Sequence, residues 1–436
     1  MADVDGDGAL DLFVARKSRT FPYAEGGELF LNRGTSFVLD DENAAVLSSI
    51  GMVNGALFSD VDDDGDSDLV LACEWGPVRI LTNASGRLSD QTEKLGMARF
   101  QGWWNGVAAL DADGDGRMDF IATNWGENTP FQAYASSSIR AYVGDFDGHG
   151  EVDLIEAVFD PRRKRWVPWR DRATLARLIP AIQSSFPTTE AFARAGLDDL
   201  LSISALTPPA RRLEVNWLAS SLFLNRDDHF EVIPLPIAAQ VSPAFGVTAA
   251  DFDGDGRTDI ALCQNLFTLE PGTARMDAGR GLILRNVAET SRFAPLTAAL
   301  SGLAINGPQC ASAAADFNRD GRIDLVVTER AGPTHLFRNQ LATPGIQVRF
   351  RGPPGNPFGI GLSARAVHAG SSVGPRQEIR SGSGYHSTDA PFLLFPHPSP
   401  QQIVIRWPGR QRIQIELPPD VLEVEVDIEG SVRRLR

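Results

Sequence analysis

The stretch Asp251-Phe-Asp-Gly-Asp-Gly-Arg-Thr-Asp259 sets carboxylates at loop positions 1, 3, 5 and 9 around a glycine at position 6. A hard cation such as Ca2+ takes several oxygen ligands at once. Side chains at this spacing converge on one point only if the chain turns sharply, and the glycine, lacking a Cβ, permits positive φ there. The ligands expected in this loop are Asp251, Asp253, Asp255 and Asp259, with the carbonyl of Arg257 at position 7. The spacing recurs at Asp3, Asp5, Asp7 and Asp11, at Asp60, Asp62, Asp64 and Asp68, and at Asp111, Asp113, Asp115 and Asp119. It recurs again at Asp145, Asp147 and Asp153, and at Asp316, Asn318, Asp320 and Asp324. One such turn is easily ion-free; six copies in the same pattern point to a shared role in binding calcium. The fourth copy has His149 at position 5, a poorer calcium ligand than a carboxylate, and is expected to be the weakest site. Asn318 in the sixth can still coordinate through its amide oxygen.

The elements that must hold these loops are strands. An EF-hand would need flanking helices and a glutamate at position 12. Here position 9 runs directly into Leu12-Phe-Val-Ala15, Leu69-Val-Leu-Ala72 and Ile260-Ala-Leu-Cys263, short apolar runs that read as strands. Runs such as Gly106-Val-Ala-Ala-Leu110 and Gly246-Val-Thr-Ala-Ala250 lead in. A second signature follows: Leu29-Phe-Leu-Asn-Arg-Gly-Thr-Ser-Phe37, Leu222-Phe-Leu-Asn-Arg-Asp-Asp-His-Phe230 and Leu282-Ile-Leu-Arg-Asn286, with weaker copies at Ile80–Asn83 and Leu336–Asn339. Strand, polar turn and aromatic restart describe a hairpin. Loop and hairpin together make the four-stranded blade of a β-propeller, over residues 1–342.

The 106-residue step between the fourth and fifth loops holds an insertion, read as helical over about 160–205. Arg170–Phe186 places Leu175, Leu178, Ile179, Ile182 and Phe186 on one helical face with Asp171 as N-cap, Pro180 kinks or ends it, and Thr189–Ala195 reads as a second helix. Beyond Asn339 the repeats stop, Thr343-Pro-Gly345 reads as a linker, and 346–436 alternates as a small separate β-domain. The fold class is therefore all-β: a six-repeat propeller with a helical insertion, plus the C-terminal domain.

Composition excludes several functions. The net charge is −15, and six bound Ca2+ ions would reduce it to −3, so metal sites account for most of the acidity. Nucleic acid asks for basic patches instead. No apolar run approaches the ~20 residues of a membrane helix. Cys73, Cys263 and Cys310 cannot build a disulfide framework and read as structural thiols. Met1-Ala-Asp3 enters the first loop with no leader or lead-in strand, the expectation for a chain that starts inside a longer exported protein.

The loops and their flanks resemble FG-GAP/VCBS repeats, the blades of integrin-α-like propellers, over about residues 1–340. Gly102-Trp-Trp-Asn-Gly-Val-Ala108 and Asn124-Trp-Gly-Glu-Asn128 resemble one bacterial branch of these proteins. The C-terminal region is similar to the ASPIC/UnbV domain at Asn356, Gly359-Ile-Gly361, Ala364-Arg-Ala-Val367, Arg376-Gln-Glu-Ile379, Gly382-Ser-Gly-Tyr385 and Arg406-Trp-Pro-Gly409. The family's His-Phe-Gly-Leu-Gly tract is replaced by Phe392-Leu-Leu-Phe-Pro-His397. Repeats plus this domain are the layout of cartilage acidic protein-like proteins. The resemblance implies seven blades, a secreted, periplasmic or cell-surface location, and no established catalytic residue.

The function expected is a calcium-binding, non-enzymatic adhesion or interaction module for a protein or glycan. The alternatives are a propeller enzyme of lyase, hydrolase or dehydrogenase type, or an accessory protein of a biosynthetic cluster. H-E-x-x-H, G-K-[ST] and C-x-x-C are absent, and the six histidines show no metal-ligand spacing. A histidine clustered with arginine or tyrosine in the central channel would favour an enzyme.

Overall fold

The computed structural model describes residues 1–16, 26–149, 153–204, 211–267, 275–287, 292–368, 373–382 and 384–436. The fourth loop's turn glycine, Gly150, and Ser383 lie outside the described residues.

Every acidic loop joins two antiparallel neighbours. Met52–Ser59 pairs with Asp68–Gly76, Val107–Leu110 with Asp119–Ala122, Ala244–Ala250 with Asp259–Gln264, and Gln309–Ala315 with Asp324–Glu329. The Leu-Phe-Leu-Asn segments supply the third strand: Gly27–Asn32, Val78–Ala84, Ser221–Asn225, Leu282–Val287 and Thr334–Phe337. The result is the expected all-β array of small sheets, each of three to five strands. In the first sheet the lead-in is reduced to a bridge between Ala2 and Asp11.

The first strands of successive sheets pack side by side, from Leu12–Ala15 through Met52–Ser59, Val107–Leu110 and Ala244–Ala250 to Gln309–Ala315. Small side chains make this possible: a Cβ on Gly55 would meet the backbone of Asn105 and Gly106, one on Gly106 would meet that of Phe245, and Thr248 and Ser312 share a hydrogen bond of 2.7 Å. The outer faces of adjacent blades bury a common core. Leu57, Val70 and Ile80 meet Trp104, Phe120 and Phe223, while Ile121 and Leu222 meet Val247, Ile260 and Leu284. Each such side chain contributes about 1.5–3 kcal/mol when removed from water.

The fourth loop-bearing sheet departs from the expected series. It consists of Ile139–Gly144, Asp153–Asp160, Arg165–Pro168 and Arg211–Val215. The strand before it, Asp119–Ala122, pairs directly with the strand after it, Ser221–Asn225. The whole fourth unit is thus inserted within the third blade, and the interruption is wider than the helices of 160–205. Periodicity could not reveal this, because the inserted unit repeats the same loop. Its helices run Arg172–Leu178, Ile182–Ser185, Thr189–Arg194 and Leu197–Leu201. Asp171 caps the first by accepting from Thr174 N at 2.8 Å, and that helix ends before Pro180.

The C-terminal domain has two four-stranded sheets around its own core of Val348, Leu362, Ile403, Ile405, Trp407 and Val424. It does not stand apart from the propeller. It lies on the rim that carries the loops, and its Gly384 and Tyr385 sit on the axis between the blades, against Val107, Val247 and Phe245. There Gly384 pairs with Val107, donating to its carbonyl at 2.8 Å.

Candidate metal loops and their cap

Asp3, Asp5 and Asp11 each bring one carboxylate oxygen within 4.8 Å of the others. So do Asp60, Asp62 and Asp68; Asp111, Asp113 and Asp115; Asp145, Asp147 and Asp153; and Asp251, Asp253 and Asp255. Asp7, Asp64, Asp119 and Asp259 stand outside these groupings in their loops. In the sixth loop Asp316, Asn318 and Asp320 are tied by mutual bonds, with Asp316 and Asn318 both accepting from Asp320 N.

The turn glycine does what its position predicts. Gly8, Gly65, Gly116, Gly256 and Gly321 all have φ between 81° and 102°. At four of these loops the glycine N–H reaches back to Oδ2 of the first aspartate, at 3.0 Å for Asp3, 2.9 Å for Asp111, 2.8 Å for Asp251 and 2.8 Å for Asp316. Oδ1 of Asp3, Asp60 and Asp111 is buried with no hydrogen-bond partner. A buried carboxylate oxygen without a partner is costly, and a cation placed there would satisfy it. The donor set of carboxylates, an amide and backbone carbonyls suits a hard ion such as Ca2+.

Position 9 has a second task. One oxygen of Asp68 accepts from Val61 N at 2.7 Å and the other from Asn83 N at 2.7 Å. The same pair of bonds recurs at Asp11, Asp119, Asp259 and Asp324, always with the asparagine of the hairpin signature. Burial pushes the carboxyls of Asp68, Asp119 and Asp259 up to about 8, against the pull of those backbone donors. Asp3, Asp60, Asp111 and Asp251 are pushed up to about 6, again mainly by burial. The asparagines were legible as a repeated motif, though their task was not.

Arginines face the loops from two sides. Arg33 bonds Asp5 at 2.6 Å and Asp7 at 2.9 Å, and Arg226 bonds Asp113 at 2.6 Å. From the C-terminal domain come Arg365 to the Gly114 carbonyl at 3.2 Å, and Arg376 and Arg406 to Asp60 and Asp63, with Arg412 on Asp63. The domain also touches the first, fifth and sixth loops, through Gly355 beside Gly8, Pro396 beside Gly256 and Gly345 beside Gly321. At the fourth loop His149 bonds Asp147 at 2.7 Å, and all three grouped aspartates are partly exposed.

On the face away from the loops, a cleft of about 620 Å3 separates the ends of the second blade from the inserted sheet. Glu74, Trp75, Arg79, Gln101, Arg211 and Glu214 are among its walls. Trp75 is held at φ 57°, an uncommon conformation for a bulky residue, with its ring edge-on to Trp103 at 5.0 Å. Sequence reasoning missed this cleft because its two walls lie in different repeats.

The fold and these loops define a repeat-domain protein of propeller type with acidic loops on one rim. The FG-GAP-like repeat family model matches residues 60–122. The chain is similar to Cartilage acidic protein 1 of Mus musculus, 25% identical over 391 residues, covering 87% of this chain and 54% of that protein. It is likewise similar to the Homo sapiens protein, 25% identical over 394 residues, covering 87% and 53%. These findings bear out the family resemblance read from the sequence; the chain spans about half the length of the curated relatives it matches. Rhamnogalacturonan lyase YesW aligns with 80% of this chain and 58% of its own, at 11% identity and a TM-score of 0.30, too low to carry an argument. No helix among the described residues is long and apolar enough to cross a membrane.

Proposed function

We propose that this chain is an extracellular, non-enzymatic interaction module, braced by calcium in its acidic loops, that binds a protein or glycan on the face opposite those loops. The carrying observation is the position of the C-terminal domain. It caps the loop rim and occupies the axis with Gly384 and Tyr385, so the far face and its cleft beside Trp75 are left for a ligand. The orphaned oxygens of Asp3, Asp60 and Asp111 support the calcium half of the reading.

A catalytic reading would rest on Tyr385 and His386, whose rings are 4.3 Å apart where the axial segment reaches the far face. Burial raises the Tyr385 hydroxyl above its ordinary pKa, which favours a neutral phenol.

The test is a screen of purified polysaccharides and envelope proteins with the parent, Trp75→Ala and Tyr385→Phe, in calcium and in EDTA. A ligand retained by Tyr385→Phe and lost in Trp75→Ala fits the module; turnover abolished in Tyr385→Phe replaces it with an enzyme. Melting curves test the calcium. At Kd values of roughly 10⁻⁴–10⁻³ M, millimolar calcium adds about 0.4–1.4 kcal/mol per site. Asp253→Ala should lose part of this response and His149→Ala little of it. An EDTA-insensitive parent would make the loops ion-free turns.

A further inference from the structure

We propose that the side chain of Arg376 is a positioning group for the cation site of the second loop, where it sets Asp60, next to the Asp111 carboxylate of the third loop that its backbone N–H holds. This rests on the calcium reading above. Arg376 lies in Val373–Glu378, beside Ser363–Val367, which in turn pairs with Gln402–Arg406. Arg376 is directly opposite Arg365, and Arg406 is opposite Ser363, two residues along. All three arginines therefore share one face of the sheet, because strand side chains alternate. The other face buries Ala364, Ala366, Ile403 and Ile405 in the domain core.

Of the three, Arg376 is the one withdrawn from water, with 5% of its side chain exposed against 18% for Arg406. Its guanidinium lies 2.8 Å from Asp60 Oδ2, 3.1 Å from Asp63 Oδ1 and 3.2 Å from Glu378 Oε1. Its backbone N donates to Asp111 Oδ2 at 2.7 Å. In both aspartates the oxygen taken is Oδ2, and in both Oδ1 is buried without a partner. A carboxylate fixed through one oxygen presents the other at a defined place, and such supporting bonds sustain metal affinity. Strands from a separate domain thus complete two adjacent loops of the propeller. A competing effect has the opposite sign: a guanidinium this close repels a cation, and were repulsion to dominate, removing it would tighten binding.

The experiment is a calorimetric calcium titration of the full chain with Arg376→Gln and Arg376→Lys, each alone and combined with Asp62→Ala or Asp253→Ala. Circular dichroism in saturating calcium checks that the variants are folded. Arg376→Gln should weaken one site by roughly tenfold to a hundredfold, and Arg376→Lys should recover part of the loss. In the Asp62→Ala background, where the second loop has lost that ligand outright, Arg376→Gln should add nothing. In the Asp253→Ala background, affecting the distant fifth loop, its full effect should persist. Unchanged or tightened affinity, or the same loss in both backgrounds, overturns the proposal while leaving calcium binding intact. A parent that binds no calcium removes both readings.

Discussion

The side-chain amide of Asn225 donates to the backbone carbonyl of Val61, 2.9 Å away in the neighbouring blade and 164 residues earlier in the chain. The relationship repeats. Asn83 reaches the carbonyl of Val4 at 2.9 Å, Asn286 that of Ala112 at 2.9 Å, and Asn339 that of Phe252 at 2.7 Å. In each case the acceptor is position 2 of the preceding blade's loop, while the asparagine's own N–H bonds the aspartate at position 9. The loops are laced in the order first, second, third, fifth, sixth. The fourth is skipped, as its insertion within the third blade requires.

Asn225→Ala should lower stability by about 1–3 kcal/mol, because it strips a donor from the buried Val61 carbonyl and from that of Met118. Asn32→Ala should cost less, since that amide reaches the Leu10 carbonyl of its own loop at 3.2 Å. Calorimetric melting of the two variants decides it, and equal losses would count against lacing between blades.

The calcium response should grow with pH. With the Asp68, Asp119 and Asp259 carboxyls at about 8 against an ordinary 3.8, the metal-free folded chain holds more protons than the unfolded chain between those values. Its stability therefore falls as pH rises through that window. A bound cation must displace those protons, so its stabilising effect is small at pH 5 and largest near pH 8. Melting temperatures with calcium and with EDTA at the two pH values measure this, and a pH-independent difference would contradict it.

Gly384→Ala should loosen the C-terminal domain from the axis. Gly384 has φ 68°, and a Cβ there would collide with the Val247 carbonyl oxygen. The expected cost exceeds 1 kcal/mol, roughly the upper end for compatible glycine replacements. Faster proteolysis within 380–390 and a lowered melting point are the readouts; parent-like behaviour in both would show that the axis tolerates the change.

The parts legible in the sequence were local ones. The Asp251–Asp259 spacing specified a turn with positive φ at Gly256, and Asp171 announced the start of a helix, because each depends on neighbours a few residues away. What stayed hidden depends on which repeat lies beside which. Nothing local at Asp119–Ala122 shows that its third-strand partner is Ser221–Asn225, beyond an intact extra sheet. Arg376 read only as part of the Arg376–Ile379 tract that resembles the C-terminal family, and its 2.8 Å contact with Asp60 spans 316 positions.

The axial segment also dictates an order of events. Gly382–Tyr385 is translated after every strand that surrounds it, so the blades emerge from the ribosome around an axis still open and with acidic rims still bare. Closure is an encounter of a later-made domain with blades already synthesised, a contact of long sequence separation of the kind that slows folding. The nascent chain therefore spends its synthesis with that axis unsealed, and on the calcium reading proposed above the supply of the ion during that interval would bear on how many chains reach the sealed form.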